Sequence, residues 1–394
     1  MKGGVTLLRQ VSAYDVQVLD FIRRYGPVSK AMIARKTGIT APTVTNICKS
    51  LAHIRLIREE GQEKVVLGRP STLIGFSADV ENYLVIHVRT QKLHIYVVNA
   101  GTEVLHKEVI STIGMEGDLI TRHMLSATDE IIQSKQYDIK AIGLILRGPV
   151  DSEKGIVIFS PHAEWKNVPF KYIFEERYQL PVYMENDMHA LTLGEYYFGA
   201  GQGIENLVVV KMSYGLGASL IIDGQLYRGF SDGAGELGHT IVAWEDGVYR
   251  SLEEVGSETS IRNYVLEAIE RGEKTSLAKL ESVTGPDFVV APIYEAAVHG
   301  DKVAIAAMEK AGKYLGIALA NIINLMNPEQ MILSSDLGEA SKLMNPILQE
   351  AIHKYSYRVH PIEISYSGKG YNQILRGMVD IICTARASSI WLQG

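Results

Sequence analysis

From residue 83 onward the chain alternates apolar segments of strand length with segments of helical periodicity, which restricts its fold more than any other feature. The first round consists of strands at 83–88, 93–98 and 103–109, a helix at 118–135 and a strand at 141–146. The second round consists of strands at 207–212 and 218–222, long helices at 261–270 and 301–326, and a strand at 330–333. Such runs predict mixed sheets with helices on their faces. We therefore expect two similar α/β halves with a ligand-binding cleft between them.

The first 75 residues instead predict three short helices. Residues 15–24 place apolar side chains on one face at helical spacing, and Ser29 can cap a second helix that ends at Gly38. A third helix is expected at residues 41–53. Two short helices joined through a glycine turn are typical of a helix-turn-helix, in which the later helix enters the major groove.

The third helix is expected to have one buried and one polar face. Its apolar stripe is Val44, Ile47, Cys48 and Leu51. Its outward side chains are short polar groups and a cation, which suit base edges and phosphates. Together with the start of the helix, where a proline is tolerated, the candidate DNA contacts are Thr40, Pro42, Thr43, Thr45, Asn46 and Lys49. A solvated helix face would look the same, so the segment that follows decides the interpretation.

Two strand-like segments follow, at residues 56–59 and 64–67, around a turn at Gly61. Arg69 lies just beyond the second segment, between a glycine and a proline. This pattern predicts a β-wing whose arginine can enter an A·T-rich minor groove. Residues 1–75 are therefore expected to form a winged helix-turn-helix DNA-binding domain.

Charge is divided unevenly along the chain. Residues 1–78 carry 12 Lys and Arg against 5 Asp and Glu, whereas the remainder carries 27 against 40. A basic head on an acidic body suggests that only the head meets a polyanion, although a solvated basic face could give the same count.

The chain has no apolar run of about 18 residues and no signal-peptide core near its start. Its two cysteines, Cys48 and Cys383, fit a reducing compartment. These features predict a cytoplasmic protein without membrane insertion.

Four polar clusters in the α/β part can supply a sugar site, at residues 147–151, 182–187, 232–239 and 251–254. They contain an amide, carboxylates and an imidazole, at Asn186, Asp187, Glu236, His239 and Glu253. Carboxylates and amides bind sugar hydroxyls bidentately, and an imidazole can donate or accept. Glu236 and His239 lie three residues apart, which one helical turn brings to the same face. Each cluster alone is equally compatible with an ordinary turn or a solvated helix start.

Taken together, these motifs resemble those of the ROK family of sugar repressors and sugar kinases. The similar stretches run from about residue 80 to the C-terminus and read GLILRGPVD, SPHAEWKNVPF, MENDMHALTLGE, GAGELGHT and IALANIINLMNPEQMIL. The helix-turn-helix with its Gly-Arg-Pro wing resembles the repressor branch, which includes the xylose and N-acetylglucosamine repressors.

The resemblance implies a two-lobed, sugar-kinase-like α/β domain of the actin and hexokinase type behind the winged head. Its first lobe would comprise residues 79–187 with the C-terminal 376–394, and its second lobe residues 188–375, with the sugar site at the cleft. It makes the sugar contacts Asn186, Asp187, Glu236, His239 and Glu253. In kinase members, the residue that matches Asp187 is the general base.

The departures from the family pattern lie where its kinases bind nucleotide. The Asp-x-Gly-Gly-Thr phosphate loop is replaced by HVRTQ at 87–91, the Gly-Thr-Gly loop by SYG at 213–215, and a later Gly-Gly pair by Ser-Ser at 334–335. The glycines that let backbone amides approach phosphate are missing. We therefore expect no ATP binding, no catalytic residue and no cofactor, with Asp187 acting as a ligand for sugar hydroxyls.

The family's zinc site also departs from the pattern. It combines the histidine that matches His239 with three cysteines, but no cysteine occurs between His239 and Glu253. Four-ligand zinc cannot be assembled from one histidine. The sequence predicts no structural zinc, so another contact must hold this loop or the loop is mobile.

The combined hypothesis is a sugar-responsive DNA-binding transcriptional regulator, favouring a repressor of carbohydrate-utilisation genes that a sugar inducer releases. A homodimer, or a tetramer, would place two heads on a pseudo-palindromic operator. The alternatives are an ATP-dependent sugar kinase with an accessory DNA-binding head, a repressor controlled by a protein partner, and an activator. Free and phosphorylated sugars are both candidate effectors.

Overall fold

The computed structural model describes residues 12–63, 70–160, 163–245, 247–357, 361–368 and 371–391. The head contains three helices and three strands: α1 Ala13–Tyr25, β1 Val28–Ser29, α2 Lys30–Thr37, α3 Ala41–His53, β2 Ile57–Gln62 and β3 Thr72–Phe76. The hydroxyls of Ser12 and Ser29 accept from the backbone amides of Asp15 and Met32 and so cap α1 and α2. Gly38 ends α2 with a positive φ of 71°, which glycine adopts without strain. All three helices lie where the sequence predicts them, and α3 has the predicted bounds.

The strand pair after α3 differs from the prediction. Gly61 lies inside β2 and makes no turn there, and the partner of β2 is β3. Ile57 stands opposite Phe76 in this antiparallel pair, and an irregular register before Gln62 accommodates the positive φ of Gly61. The predicted second wing strand and Arg69 lie at residues 64–69, outside the described residues.

The first lobe is built on strands β4 to β7 and β11, with two covering helices and a small three-stranded sheet. Its elements are β4 Asn82–Val88, β5 Lys92–Asn99, β6 Val104–Ser111, α4 Gly117–Ser134, β7 Ile139–Leu146, β8 Val150–Asp151, β9 Ile156–Ser160, β10 Trp165–Val168, α5 Phe170–Tyr178 and β11 Val182–Asn186. Helix α6, Asp187–Phe198, follows directly from β11.

The second lobe repeats the sheet and adds a hairpin and more helices. Its elements are β12 Leu207–Met212, β13 Leu216–Ile222, β14 Gln225–Tyr227, β15 Ile241–Glu245, β16 Val248–Ser251, α7 Leu252–Gly256, α8 Glu258–Glu270, α9 Glu281–Thr284, α10 Ala291–Val298, α11 Lys302–Met326, β17 Gln330–Ser335, α12 Ser341–Tyr355 and β18 Glu363–Gly368. The chain then forms α13, Tyr371–Arg386. Short helical turns add Ala78–Val80, Leu237–His239, Ser276–Lys279, Gly338–Ala340 and Ala387–Trp391.

The two five-stranded sheets have the same topology. The first has the order β11-β7-β4-β5-β6 and the second β18-β17-β12-β13-β14. In each sheet an antiparallel meander of three strands continues into two parallel strands. The predicted fold class, a mixed α/β protein with two similar halves, is confirmed.

Helices α6 and α13 pack closely against each other. A side chain at Gly194 would overlap the carbonyl oxygen of Gln373, and one at Gly377 would overlap that of Ala190. Apolar residues of these helices, of the head and of both sheets share one buried cluster. The head is therefore packed against the body through this helix pair. No helix in the described ranges has the length and apolar character that a membrane crossing requires.

Candidate functional site

Asn186 ends β11 and caps α6. Its side-chain oxygen accepts from the backbone amides of Met188 at 2.7 Å and His189 at 3.4 Å, and its Nδ2 donates to the carbonyl oxygen of Gly148 at 2.8 Å. The first amides of a helix have no partner within the helix, and this side chain supplies one. Asn186 therefore ties the turn at 147–151 to the start of α6 and keeps one Nδ2 hydrogen for a ligand.

Asp187 forms a buried ion pair with Lys211 on β12. The Lys211 Nζ lies 2.7 Å from Oδ2 of Asp187, and both side chains are largely buried. Burial alone would raise the pKa of this carboxyl, but the charges of Lys211 and Arg147 outweigh burial and lower the pKa to about 2. A carboxylate held ionised in this way accepts hydrogen bonds and is a poor proton acceptor in chemistry near neutral pH.

His87 on β4 is buried beside this pair. Burial and then the positive charge of Lys211 lower its pKa well below the usual range. The imidazole is therefore neutral near pH 7. Its Nε2 is buried without a hydrogen-bond partner within the described part of the chain.

Glu253 and Arg147 come together beside Gly215. The Oε2 of Glu253 accepts from the backbone amide of Leu216 at 3.0 Å, and the guanidinium of Arg147 donates to the hydroxyl of Thr90. A side chain at position 215 would overlap Oε2 of Glu253 and lie 3.4 Å from a terminal nitrogen of Arg147. A β-carbon at position 215 therefore has no room unless the carboxylate of Glu253 moves.

Glu236 and His239 stand at the open edge of the site. The turn Leu237–His239 places Nε2 of His239 3.9 Å from Oε2 of Glu236. Their side chains are 49% and 76% exposed, so both remain available to a ligand entering from solvent. The predicted juxtaposition of these two residues is present.

A cavity of about 790 Å³ opens beside these groups. Arg147, His239 and Glu253 line it, whereas the side chains of Asn186, Asp187 and Glu236 are not part of its lining. Asn186 and Asp187 stand at the start of α6, where the charge of Arg147 acts on Asp187. Two of the five predicted sugar residues, His239 and Glu253, therefore line the cavity, and the assignment of all five as sugar contacts stays a prediction.

Tyr214 forms a contact between the two lobes. Its hydroxyl lies 2.6 Å from Oε1 of Gln91 and 2.5 Å from the carbonyl oxygen of Phe288. The segments 87–91 and 213–215, which the family resemblance sets in place of phosphate loops, therefore contact each other. A separate cavity of about 170 Å³ lies between them, lined by side chains at 89–92, 211–214 and 334–336 among others. These residues do not fit a phosphate cradle of backbone amides.

The segment between His239 and Glu253 forms the β15–β16 hairpin. The hydroxyl of Tyr314 on α11 donates to Glu245 at the end of β15, and Lys310 lies 3.9 Å from the same carboxylate. This contact with α11 holds the hairpin, which answers how the loop is positioned without cysteines. Within the described ranges no three histidine, cysteine or acidic side chains cluster as metal ligands, and the residues around His239 do not fit zinc.

Helix α3 presents the candidate DNA-contacting face. The four apolar residues predicted for its inner stripe are all buried. Asn46 and Lys49 are exposed, and Thr43 and Thr45 are half-buried. The hydroxyls of Thr40 and Thr43 lie 2.8 Å apart at the start of the helix. Of the four outward residues predicted on this helix, Asn46 and Lys49 therefore present the most accessible polar groups.

The head contacts the body through an ion cluster that no motif of the sequence predicts. In α1, Arg23 lies 2.5 Å and Arg24 3.0 Å from Oδ1 of Asp380 on α13. The guanidinium of Arg24 also lies 3.7 Å from the ring centroid of Tyr197 on α6. Burial alone would lower the pKa of Arg24, but Asp380 outweighs it and raises this pKa above the usual range.

The sequence motifs do not predict the buried charges of Lys211 and Asp380, although each residue interrupts an apolar segment. Lys211 is the one charged residue of the otherwise apolar strand β12, and Asp380 interrupts the apolar pattern of α13. A charge in an apolar segment indicates a buried partner. The sequence cannot say which partner, because Arg24 and Asp380 lie 356 positions apart.

Fold and site together define a helix-turn-helix head on a two-lobed α/β body of the sugar-kinase type. Residues 83–384 match the ROK family, and the chain belongs to that family. The family resemblance stated from the motifs is confirmed.

Relatives of known structure or function resemble nearly the whole chain. The xylose repressor of Caldicellulosiruptor bescii is 28% identical over 364 residues, which cover 90% of each chain. The crystal structure of a ROK family transcriptional regulator, a homologue of the Escherichia coli MLC protein, superposes with a TM-score of 0.80 at 27% identity, covering 97% of this chain and 98% of the other. A ROK family glucokinase from Streptomyces griseus, solved with glucose and AMPPNP, gives a TM-score of 0.65 at 25% identity and covers 76% of this chain and 98% of its own.

Proposed function

We propose that this protein is a sugar-responsive DNA-binding transcriptional repressor of carbohydrate-utilisation genes, released from its operator by a sugar. One observation carries the proposal. Helix α6 begins at Asn186 and Asp187 in the predicted sugar site and ends near Tyr197, whose ring contacts Arg24 of the head. A single rigid element therefore joins the effector cleft to the DNA-binding domain.

The similarity of the chain supports this function. The repressor relatives match the head as well as the body, whereas the glucokinase covers only about three-quarters of the chain. The exposed amide and ammonium groups of Asn46 and Lys49 suit base edges and phosphates. The proposed DNA contacts are those of α3 together with Arg69 of the wing.

The mechanism requires two arrangements of the lobes. A sugar between them stabilises the arrangement that it binds more tightly, and an inducer must prefer the one that cannot engage the operator. Movement of α6 with α13 carries the head, because both helices contact α1. In a homodimer this changes the distance between the two heads and hence their fit to two half-sites.

We further propose that the protein does not transfer phosphate. Tyr214 and Gln91 bond to each other where phosphate loops would stand, and Lys211 holds the candidate base Asp187 ionised. Without a bound phosphoryl donor, Asp187 serves as a hydrogen-bond acceptor for sugar hydroxyls. The protein is expected to work in the cytoplasm, where its operator lies.

The test is an operator-binding titration with the promoter region of the protein's own gene, followed by fluorescence anisotropy across a panel of free and phosphorylated sugars. We expect tight binding that one sugar weakens about 5- to 150-fold. Tight binding that no sugar changes would point to control by a protein partner. Absence of binding at low salt would refute the DNA-binding function and call for a kinase assay.

A further inference from the structure

We infer that the effector is an uncharged glycan of at least two sugar residues, whose second residue binds in an extension of the cleft between α8, α11 and the β15–β16 hairpin. This inference rests on the proposed function, because it assigns the ligand class of the same site. The first observation behind this inference is the size of the cavity. The cavity measures about 790 Å³, whereas a hexose of twelve heavy atoms displaces roughly 200 Å³ of water.

One wall of the extension is polar and is formed by helix α8. Helix α8 turns four polar side chains into the cavity at helical spacing: Ser260, Asn263, Tyr264 and Glu267. The interleaved and following residues Ile261, Val265 and Ala268 are buried in the core, so the helix is fixed in this rotation. The amide of Asn263 can pair with two vicinal hydroxyls. Tyr264, half-buried and with Arg271 6.0 Å from its ring centroid, adds an aromatic side chain to this wall.

The α11 side of the cavity combines two small residues with a cation. Ala307 and Ala311 line the cavity one turn apart, and Lys310 lines it between them. Glu245 and Arg250 of the hairpin complete the enclosure. The lining thus offers hydrogen-bonding groups to sugar hydroxyls and small side chains that leave room for a pyranose ring.

Among the described residues, the walls of the extension belong to the second lobe. Of these residues, only Thr90 and Arg147 line the cavity from the first lobe, and Arg147 lies with Glu253 beside Gly215. Closure of the two lobes around a first sugar residue would therefore leave the extension in place. The Tyr314–Glu245 contact fixes the hairpin wall to α11 in the same way.

The charges of the lining favour a neutral ligand over a phosphorylated one. The cations of the cavity have carboxylates near them: Lys310 has Glu245 at 3.9 Å. Hydrogen bonds from Ser251 and, after these, the charge of Arg250 lower the pKa of Glu254. Lys211 and then Arg147 lower the pKa of Asp187. A phosphate would compete with these carboxylates and would meet Glu253 and Glu267 as well. Sugar hydroxyls can use both the acidic and the basic groups.

The experiment measures sugar binding directly, by isothermal titration calorimetry on the full-length protein, without DNA. The probes are matched pairs of a monosaccharide and its disaccharide: xylose and xylobiose, glucose with cellobiose and maltose, and N-acetylglucosamine with its β-1,4 dimer. The 6-phosphates of glucose and N-acetylglucosamine test the charged alternative. We expect one disaccharide to bind at least about tenfold more tightly than its monosaccharide.

Two variants at one exposed position locate the second residue. Asn263→Ala should weaken disaccharide binding about tenfold and leave monosaccharide binding unchanged. Asn263→Trp should block the extension and bring the disaccharide down to the affinity of its monosaccharide. Glu270→Ala, at an exposed position of the same helix outside the cavity, is the control that changes neither.

The inference is overturned if a monosaccharide or a sugar phosphate binds as tightly as every disaccharide, if no disaccharide in the panel binds, or if the Asn263 variants weaken both ligands equally. Operator binding without sugar is measured in parallel on the same variants. Its loss in the unmodified protein would refute the proposed function, whereas its retention beside a negative calorimetric result would refute the ligand class alone.

Discussion

The hydroxyl of Tyr214 lies 2.6 Å from Oε1 of Gln91, so a side chain of the second lobe is hydrogen-bonded to one of the first lobe. Tyr214 also lies 2.5 Å from the carbonyl oxygen of Phe288. The tyrosine therefore connects one segment of the first lobe with two segments of the second.

This contact should be measurable as a coupling energy. Tyr214→Phe removes the hydroxyl and should lower the free energy of unfolding by about 1 kcal/mol. A double-mutant cycle with Gln91→Ala, followed by urea denaturation, should give a coupling of about 0.5–1 kcal/mol. Additive effects of the two substitutions would mean that the contact contributes nothing to stability.

The Asp187–Lys211 pair predicts a specific pH dependence. The folded-state pKa of Asp187 is lowered from 3.8 to about 2, so its contribution to stability is complete above about pH 4 and is lost as the pH falls toward 2. Asp187→Asn leaves Lys211 buried without its partner and should cost about 3 kcal/mol at pH 7. Denaturation midpoints at pH 7, 4 and 3 check this.

The control for this pair is the double variant Asp187→Asn with Lys211→Met, which removes the uncompensated charge. It should recover much of the stability lost in the single variant. If the single variant destabilises the protein equally at pH 7 and pH 3, the ion pair is not the source of the effect.

We expect the stacking of Arg24 on Tyr197 to determine how strongly sugar weakens operator binding. The separate affinities for sugar and for operator should not depend on it. Arg24→Lys keeps a positive charge near Asp380 but loses the planar group that lies over the ring. The ratio of operator affinities without and with sugar should fall several-fold, while sugar affinity stays unchanged. Arg122→Lys, an exposed position on α4, is the matched control, and an unchanged ratio in Arg24→Lys would argue against transmission along α6.

The polar face of α3 gives two separable effects on operator binding. Lys49→Ala should weaken binding to all sequences and reduce the salt dependence by about one phosphate contact. Asn46→Ala should cost about 1–3 kcal/mol on the operator and little on unrelated DNA. Anisotropy titrations at several salt concentrations distinguish them, with Lys313→Ala on α11 as the control. Equal losses on operator and unrelated DNA for Asn46→Ala would exclude base recognition by that residue.

Gly215 offers a test of the sugar site that adds only one carbon. Gly215→Ala would overlap Oε2 of Glu253 and displace that carboxylate, so sugar affinity should fall at least about tenfold. Gly233→Ala is the matched control, since its added carbon would find its nearest neighbour 3.6 Å away. Calorimetry measures the sugar affinity of both variants. Unchanged sugar affinity in Gly215→Ala would argue against Glu253 as a sugar contact.

Local patterns in the sequence predicted much of the fold. The bounds of α3 and β12 agree with the predictions because an amphipathic stripe and an unbroken apolar run are each readable within a few residues. The turn predicted at Gly61 is absent because glycine is common both in turns and at irregular positions of strands, and Gly61 is of the second kind. The strand that pairs with β2 is β3, which lies further along the chain than the partner in a tight hairpin would.

The site was predictable by residue type and only partly by geometry. Glu236 and His239 meet as their three-residue spacing predicts. Lys211 was missed because its pairing with Asp187 joins elements from the two halves, and no short-range pattern records such a pair. The same holds for the cluster around Asp380, whose members come from opposite ends of the chain.

That cluster has a consequence for how the protein is made. The ribosome produces Arg24 long before Asp380, and at 5–20 residues per second the interval is roughly 20 to 70 s. During this time the head has emerged while the helix that receives it does not yet exist. Each newly made chain therefore passes through a stage in which its DNA-binding end is tethered but not docked, and regulation by sugar begins only when the last helix has been synthesised.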